Sequence, residues 1–149
     1  MSKRILIQVK EPRYIHKEVD GKDMTIMTCT YALPWKDITY IPLCDEVMKK
    51  VAKVRNAFKE AHIEFNCNPE NPAFIFQTTG ITVRHENDSN NPMIGDRIAK
   101  AKAFSKACAI SRAIIKAAKS GLEEDLLRAD ATLKAWQKKE NRIRQQWQN

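Results

Sequence analysis

Seven basic residues fall between positions 93 and 119: Arg97, Lys100, Lys102, Lys106, Arg112, Lys116 and Lys119, opposed by Asp96 alone. Lys102 and Lys106 are four apart, and Arg112, Lys116 and Lys119 follow at four and three, so a helix over this stretch would carry two basic rows. Arginine has a planar fork that can hold a phosphate through two bonds, whereas lysine offers a point charge. Arg112 is therefore the leading candidate for a phosphate contact, with Lys116 and Lys106 beside it. Arg97 sits close enough to the start of the helix to join an anion held there. Lys119 reads as a cation placed at the negative end of the helix dipole. A second candidate lies just before this helix. The polar stretch 84–91 contains Arg84, His85 and Asn91, which could read a nucleobase edge or a ribose; the same residues also do ordinary turn and capping work. Phe76 on the preceding strand could stack on a base, although alternating aromatics in a strand also fill cores.

Around these residues the chain reads as one α+β domain spanning 1–149. The expected layout is an N-terminal antiparallel sheet with one helix (about 1–92), then a long antiparallel helical hairpin (about 93–149). Residues 3–9 read as a strand. Residues 15–19 and 24–33 flank Asp20-Gly21, a tight-turn dipeptide, and Pro34 ends the second arm. Both faces of 24–33 are fairly apolar, which suits one for helices and the other for a partner. Residues 44–61 form a helix with acids in its first turn, 66–72 a loop, and 73–84 a strand interrupted by Gly80. Asn91-Pro92 opens the helix 93–119. Ser120-Gly121 closes it with a left-handed cap, and Glu123, Glu124 and Asp125 start a second helix. Ile94, Ile98, Ala101, Phe104, Cys108 and Ile115 trace the apolar stripe of the first helix. Trp136 and Trp147 share a face of the second and mark a packing or subunit interface.

The bulk figures narrow the function classes. The formal net charge is +8, which favours nucleic acids, nucleotides or acidic protein surfaces. No apolar run is long enough to span a bilayer, and residues 5–9 are too short for a signal-peptide core, so the expectation is a cytoplasmic protein. The four cysteines include no C-x-x-C pair and the three histidines are scattered, so no metal site is expected. Cys29 and Cys108 lie among apolar residues and read as small core hydrophobes. Four glycines leave no room for a phosphate-cradling loop, and no nucleophile stands beside Asp88 and His85. The reading is a non-enzyme without a cofactor.

The segment Gly80-Ile81-Thr82-Val83-Arg84-His85-Glu86-Asn87-Asp88-Ser89-Asn90-Asn91, with Ile94-Gly95-Asp96-Arg97-Ile98-Ala99 and the basic helix after it, resembles a pattern in small phage-encoded proteins. The whole layout is similar to the first family of Thoeris anti-defence proteins, oligomeric sponges that sequester cyclic ADP-ribose-type and cyclic nucleotide signals without cleaving them. The resemblance implies a homo-oligomer, with a hexamer among its forms, whose pockets lie between subunits. By role it places Arg112 and Lys116 on the phosphates, Asn91 in the turn, and Phe76 on the base. The leading expectation is sequestration of a phosphate-bearing nucleotide. The alternatives are nucleic-acid binding by the same helix, or inhibition of an acidic host protein through strand 24–33.

Overall fold

The computed structural model describes residues 5–36, 42–84 and 92–148. The molecule is α+β: an antiparallel sheet of five strands, one short helix, and one very long C-terminal helix. The spine is β3 (Lys22–Pro34) paired with β5 (Ala73–Val83) along eleven residues, from Met24 opposite Val83 to Pro34 opposite Ala73. On the other edge of β3, β2 (Arg13–Val19) and β1 (Ile7–Gln8) follow one another in tandem. β4 (Glu64–Asn66) pairs only with the start of β5. The β2–β3 turn is Asp20-Gly21 as expected, with φ of 52° and 75°. Two successive positive φ values match the right-handed twist of the flanking strands, and Asp and Gly tolerate them at low cost.

The two-residue period of β3 decides which face carries the core, although Thr30 and Ala32 on the other face are buried too. Met27, Cys29, Tyr31 and Leu33 are buried, and their cross-strand partners Gly80, Thr78, Phe76 and Phe74 complete the same face. The opposite face, with Ile15, Ile26 and Ile81, stays at least partly open. Helix α1 (Asp45–Ala57) adds Val47 and Val51 to the core, and a short 3-10 turn, Lys59–Ala61, follows it.

The helical hairpin expected over 93–149 is not formed. Helix α2 runs unbroken from Pro92 to Gln148. Gly121 is buried inside it, where a Cβ would come within 2.9 Å of Val47 Cγ2. This glycine lets α1 approach; it does not cap a helix end. Two of the three acids that looked like the start of a new helix, Glu124 and Asp125, have partners on α1 and on the residue before it instead. Lys50 Nζ donates to Glu124 Oε1 at 2.7 Å and to Ser120 Oγ at 3.0 Å, and Cys44 Sγ lies 3.6 Å from Asp125 Oδ2. That bond from Lys50 holds the Glu124 carboxyl below the usual carboxylate range.

The apolar stripe expected on α2 also needs correcting. Ile94, Ile98, Phe104 and Cys108 are exposed; Ala99, Ala103, Ala107, Ile110, Ile114 and Ala118 are buried. The sheet supplies the bulk, in Met27, Tyr31, Phe74 and Phe76, so the helix meets it with methyl groups and comes close. The approach is tightest at Gly80, where any Cβ would fall on the Ala99 carbonyl. Nearby, Thr78 Oγ1 donates to the Ala103 carbonyl at 2.6 Å in a buried setting. Thr78→Val keeps the shape and removes that bond. It should cost about 1 kcal/mol and lower the melting temperature by about 2–4 °C in a thermal scan.

Candidate functional site: the basic face of the long helix

With the sheet on one side of α2, six of the seven cations between positions 93 and 119 divide into two groups; the seventh, Lys100, is exposed and has no hydrogen bond or ion pair among the described residues. Lys102 and Lys106 point along the flank toward β5. Beyond Ile75 the outer edge of β5 has no strand partner among the described residues, so its carbonyls need donors. Lys102 Nζ donates to the Ile81 carbonyl at 2.9 Å and Lys106 Nζ to the Thr79 carbonyl at 2.7 Å. Lys106, expected at a ligand site, is therefore engaged in tying the helix to the sheet edge. The signal in the sequence is a lysine pair spaced four apart next to an edge strand, which suits carbonyl donation as well as anion binding.

The second group faces away from the sheet. Arg97, Arg112, Lys116 and Lys119 are exposed, and no hydrogen bond or ion pair holds them among the described residues. Arg112, Lys116 and Lys119 occupy successive turns on one side, spanning about 10 Å at 1.5 Å per residue, and Arg97 lies about 22 Å from Arg112 along the axis. Because α2 continues past residue 119, Lys119 is not at a helix end; it belongs to this row. Exposed Ile94 and Ile98 lie on the same side, at the N-terminal end. The result is a basic ridge open to solvent, on which the described residues build no opposing wall.

The remaining candidates are not brought to this ridge. Phe76 is 1% exposed and packs near Tyr31 with ring centroids 6.5 Å apart, so it fills the core and is closed to a base; this corrects the stacking role expected of it. The two-residue period of β5 puts it on the covered face. Arg84 Nη1 donates to Asp23 Oδ2 at 3.3 Å, and its backbone N–H to the Asp23 carbonyl at 2.8 Å. Its charge thus closes the end of the β3–β5 ladder. His85 and Asn91 lie outside the described residues. Among those described, no cluster of three His, Cys, Asp or Glu is gathered as metal ligands. His16 Nε2 and Asp96 Oδ1 are 2.7 Å apart and join β2 to the first turns of α2.

The chain matches no family model, no curated protein and no solved structure.

Beneath the ridge, Tyr31 lies between Phe76 and Phe104, whose rings are 6.5 and 5.9 Å away. Burial pushes its hydroxyl well above the ordinary value of 10.0, and the neighbouring Cys29 adds to the effect. A group whose folded value is raised stabilises the fold fully below its unfolded value. That contribution is lost as pH rises through the folded value. Stability should therefore hold up to about pH 10 and fall above it, and Tyr31 phenolate absorbance should grow in only together with unfolding.

Proposed function

We propose that the protein is a non-catalytic binder of phosphate-bearing polyanions, specifically of a nucleic-acid backbone, through the outward face of α2. The single observation that carries this reading is the set Arg97, Arg112, Lys116 and Lys119, exposed and unpaired among the described residues, on one open side of a rigid rod. The interval from Arg97 to Arg112 is about 22 Å, or roughly six to seven steps of 3.4 Å along a strand, a length suited to repeated phosphates. An open ridge meets an extended ligand more readily than a compact one.

Sequestration of a nucleotide signal is the second reading, as the resemblance implies. It needs a second subunit to wall in Arg112 and Lys116, since one chain leaves them open. What favours it is the exposed pair Ile94 and Ile98 on the same side of α2, an apolar surface against which such a subunit could pack. Fluorescence anisotropy with a labelled oligonucleotide separates the two. On the first reading the oligonucleotide binds, added mononucleotides or cyclic dinucleotides compete poorly, and Arg112→Ala with Lys116→Ala weakens binding across all sequences alike. Tight retention of a small nucleotide, with no oligonucleotide binding, would overturn the first reading and favour the second.

A further inference from the structure

Past Asp125, α2 leaves the body of the protein: the side chains from Leu126 to Trp147 are exposed, and Arg128 lies 3.7 Å from Glu46. This part of the helix is not polar all round. Leu126, Leu133, Trp136, Ile143 and Trp147 are exposed by 62, 57, 61, 46 and 85%. With Leu122 and Ala129 they fall at alternating steps of four and three: Leu122, Leu126, Ala129, Leu133, Trp136, Glu140, Ile143 and Trp147. Such a seven-residue repeat is the seam of a two-stranded coiled coil. At 1.5 Å per residue it runs about 38 Å. A helix that presents apolar residues to water along one line is held by burying that line against another helix.

The charges beside the seam select the partner and its direction. Glu123, Asp125 and Asp130 flank the proximal half, and Lys139 and Arg144 flank the distal half. In a parallel pair, each residue before a seam position meets the residue five further on in the other chain. That would set Asp125 against Asp130 and Lys139 against Arg144, like charge against like at both ends, and Glu140 against its own copy in the seam. Antiparallel pairing of two copies removes every one of these conflicts. The acidic half of one chain lies along the basic half of the other, with Glu123 near Arg144, Asp125 near Gln146 and Lys139 near Thr132, so no like charges meet. The seam layers become Leu122 with Trp147, Leu126 with Ile143, Leu133 with Trp136, and Ala129 with Glu140. The smallest seam residue thus faces the only charged one. Arg144 already holds Glu140 at 2.7 Å within the chain, and Lys139 lies 4.4 Å from the centre of the Trp136 ring, so both can stay neutralised or covered as the seam closes.

The geometry points to a second copy of this chain as the occupant of the seam: the distal half of α2 forms an antiparallel two-stranded coiled coil that joins two bodies end to end. The pairing does not depend on the anion-binding reading. Two measurements on the full chain test it. Light scattering after size exclusion should give twice 17.2 kDa for the native sequence, or an even multiple. Leu133→Asp with Ile143→Asp should give one chain, with the β-sheet circular-dichroism signal retained. For direction, exposed Cys67 and Cys108 are replaced by serine, and Leu126→Cys chains are mixed with Ile143→Cys chains under mild oxidation. Disulfides should join unlike chains. A monomeric native protein, a mass unmoved by the two aspartates, or disulfides joining like chains would each overturn the proposal.

Discussion

Gly80→Ala is expected to lift the long helix off the sheet and cost roughly 3 kcal/mol or more, at or above the top of the usual range for overpacking. The new methyl group would fall on the Ala99 carbonyl and within 2.8 Å of the Ala103 nitrogen, both helix backbone. A crowded side chain can rotate away, but a helix backbone can move only as a unit. Moving it would pull Ala99, Ala103 and Ala107 off the buried faces of Met27, Tyr31 and Phe76, and would stretch the Thr78 bond to Ala103 and the two lysine bonds to β5. A loss of that size is a large part of the 5–15 kcal/mol typical of a whole domain, and corresponds to about 6–12 °C or more in melting temperature. Gly121→Ala is the natural control. There the nearest atom is a side-chain carbon of buried Val47 at 2.9 Å, so α1 must shift slightly, but alanine gains up to about 1 kcal/mol in helix propensity that offsets part of the cost. Chemical denaturation should show the Gly80 variant far less stable than the Gly121 variant. Equal stabilities would mean that the helix does not lie as close to β5 as described.

Neutralising the outward row should produce the second large effect. Replacing Arg97, Arg112, Lys116 and Lys119 together with glutamine removes four cations that take part in no bond within the described protein. The fold should be unchanged, because none of the four closes a strand edge or packs in the core. Binding to an oligonucleotide should weaken by at least about 100-fold at low salt, since the backbone contribution to such binding is carried by these charges. Lys102 and Lys106 provide the contrast. Replacing them should destabilise the β5 edge, because the Thr79 and Ile81 carbonyls lose their donors, and should affect binding far less.

The elements that were legible in the sequence are those fixed by local rules. Asp20-Gly21 specifies its turn through positive φ, and the alternation of β3 specifies a strand, though with both faces fairly apolar it does not say which one carries the core. Helix α1 follows from Val47 and Val51 at four-residue spacing. What was illegible depended on distant contacts. A glycine that ends a helix and a glycine that admits a neighbouring helix look alike in one sequence, so Gly121 suggested a hairpin where Val47 demanded room. Glu124 and Asp125 suit a helix start as well as they suit Lys50 and Cys44. Alanine carries no hydrophobic signal strong enough to outrank Ile94, Ile98 and Phe104, so the buried face was assigned to the larger residues. β4, with three residues, is too short to show a period. At the candidate site, the concentration of charge on one helix was readable. Its division into two lysines bonded to the sheet edge and five residues left without partners among the described residues was not, because that depends on where β5 ends its pairing. Phe76 could be placed only once the register with Tyr31 was known.

The most direct test of the central claim is the salt dependence of oligonucleotide binding by the native protein. With four phosphate contacts, the logarithm of the association constant should fall against the logarithm of salt concentration with a slope of about −3.6, a loss of roughly 150-fold between 50 and 200 mM. Arg112→Ala should make that slope shallower by about one. A slope near zero, or one that Arg112→Ala leaves unchanged, would contradict the assignment of the outward face of α2 as a phosphate-binding surface.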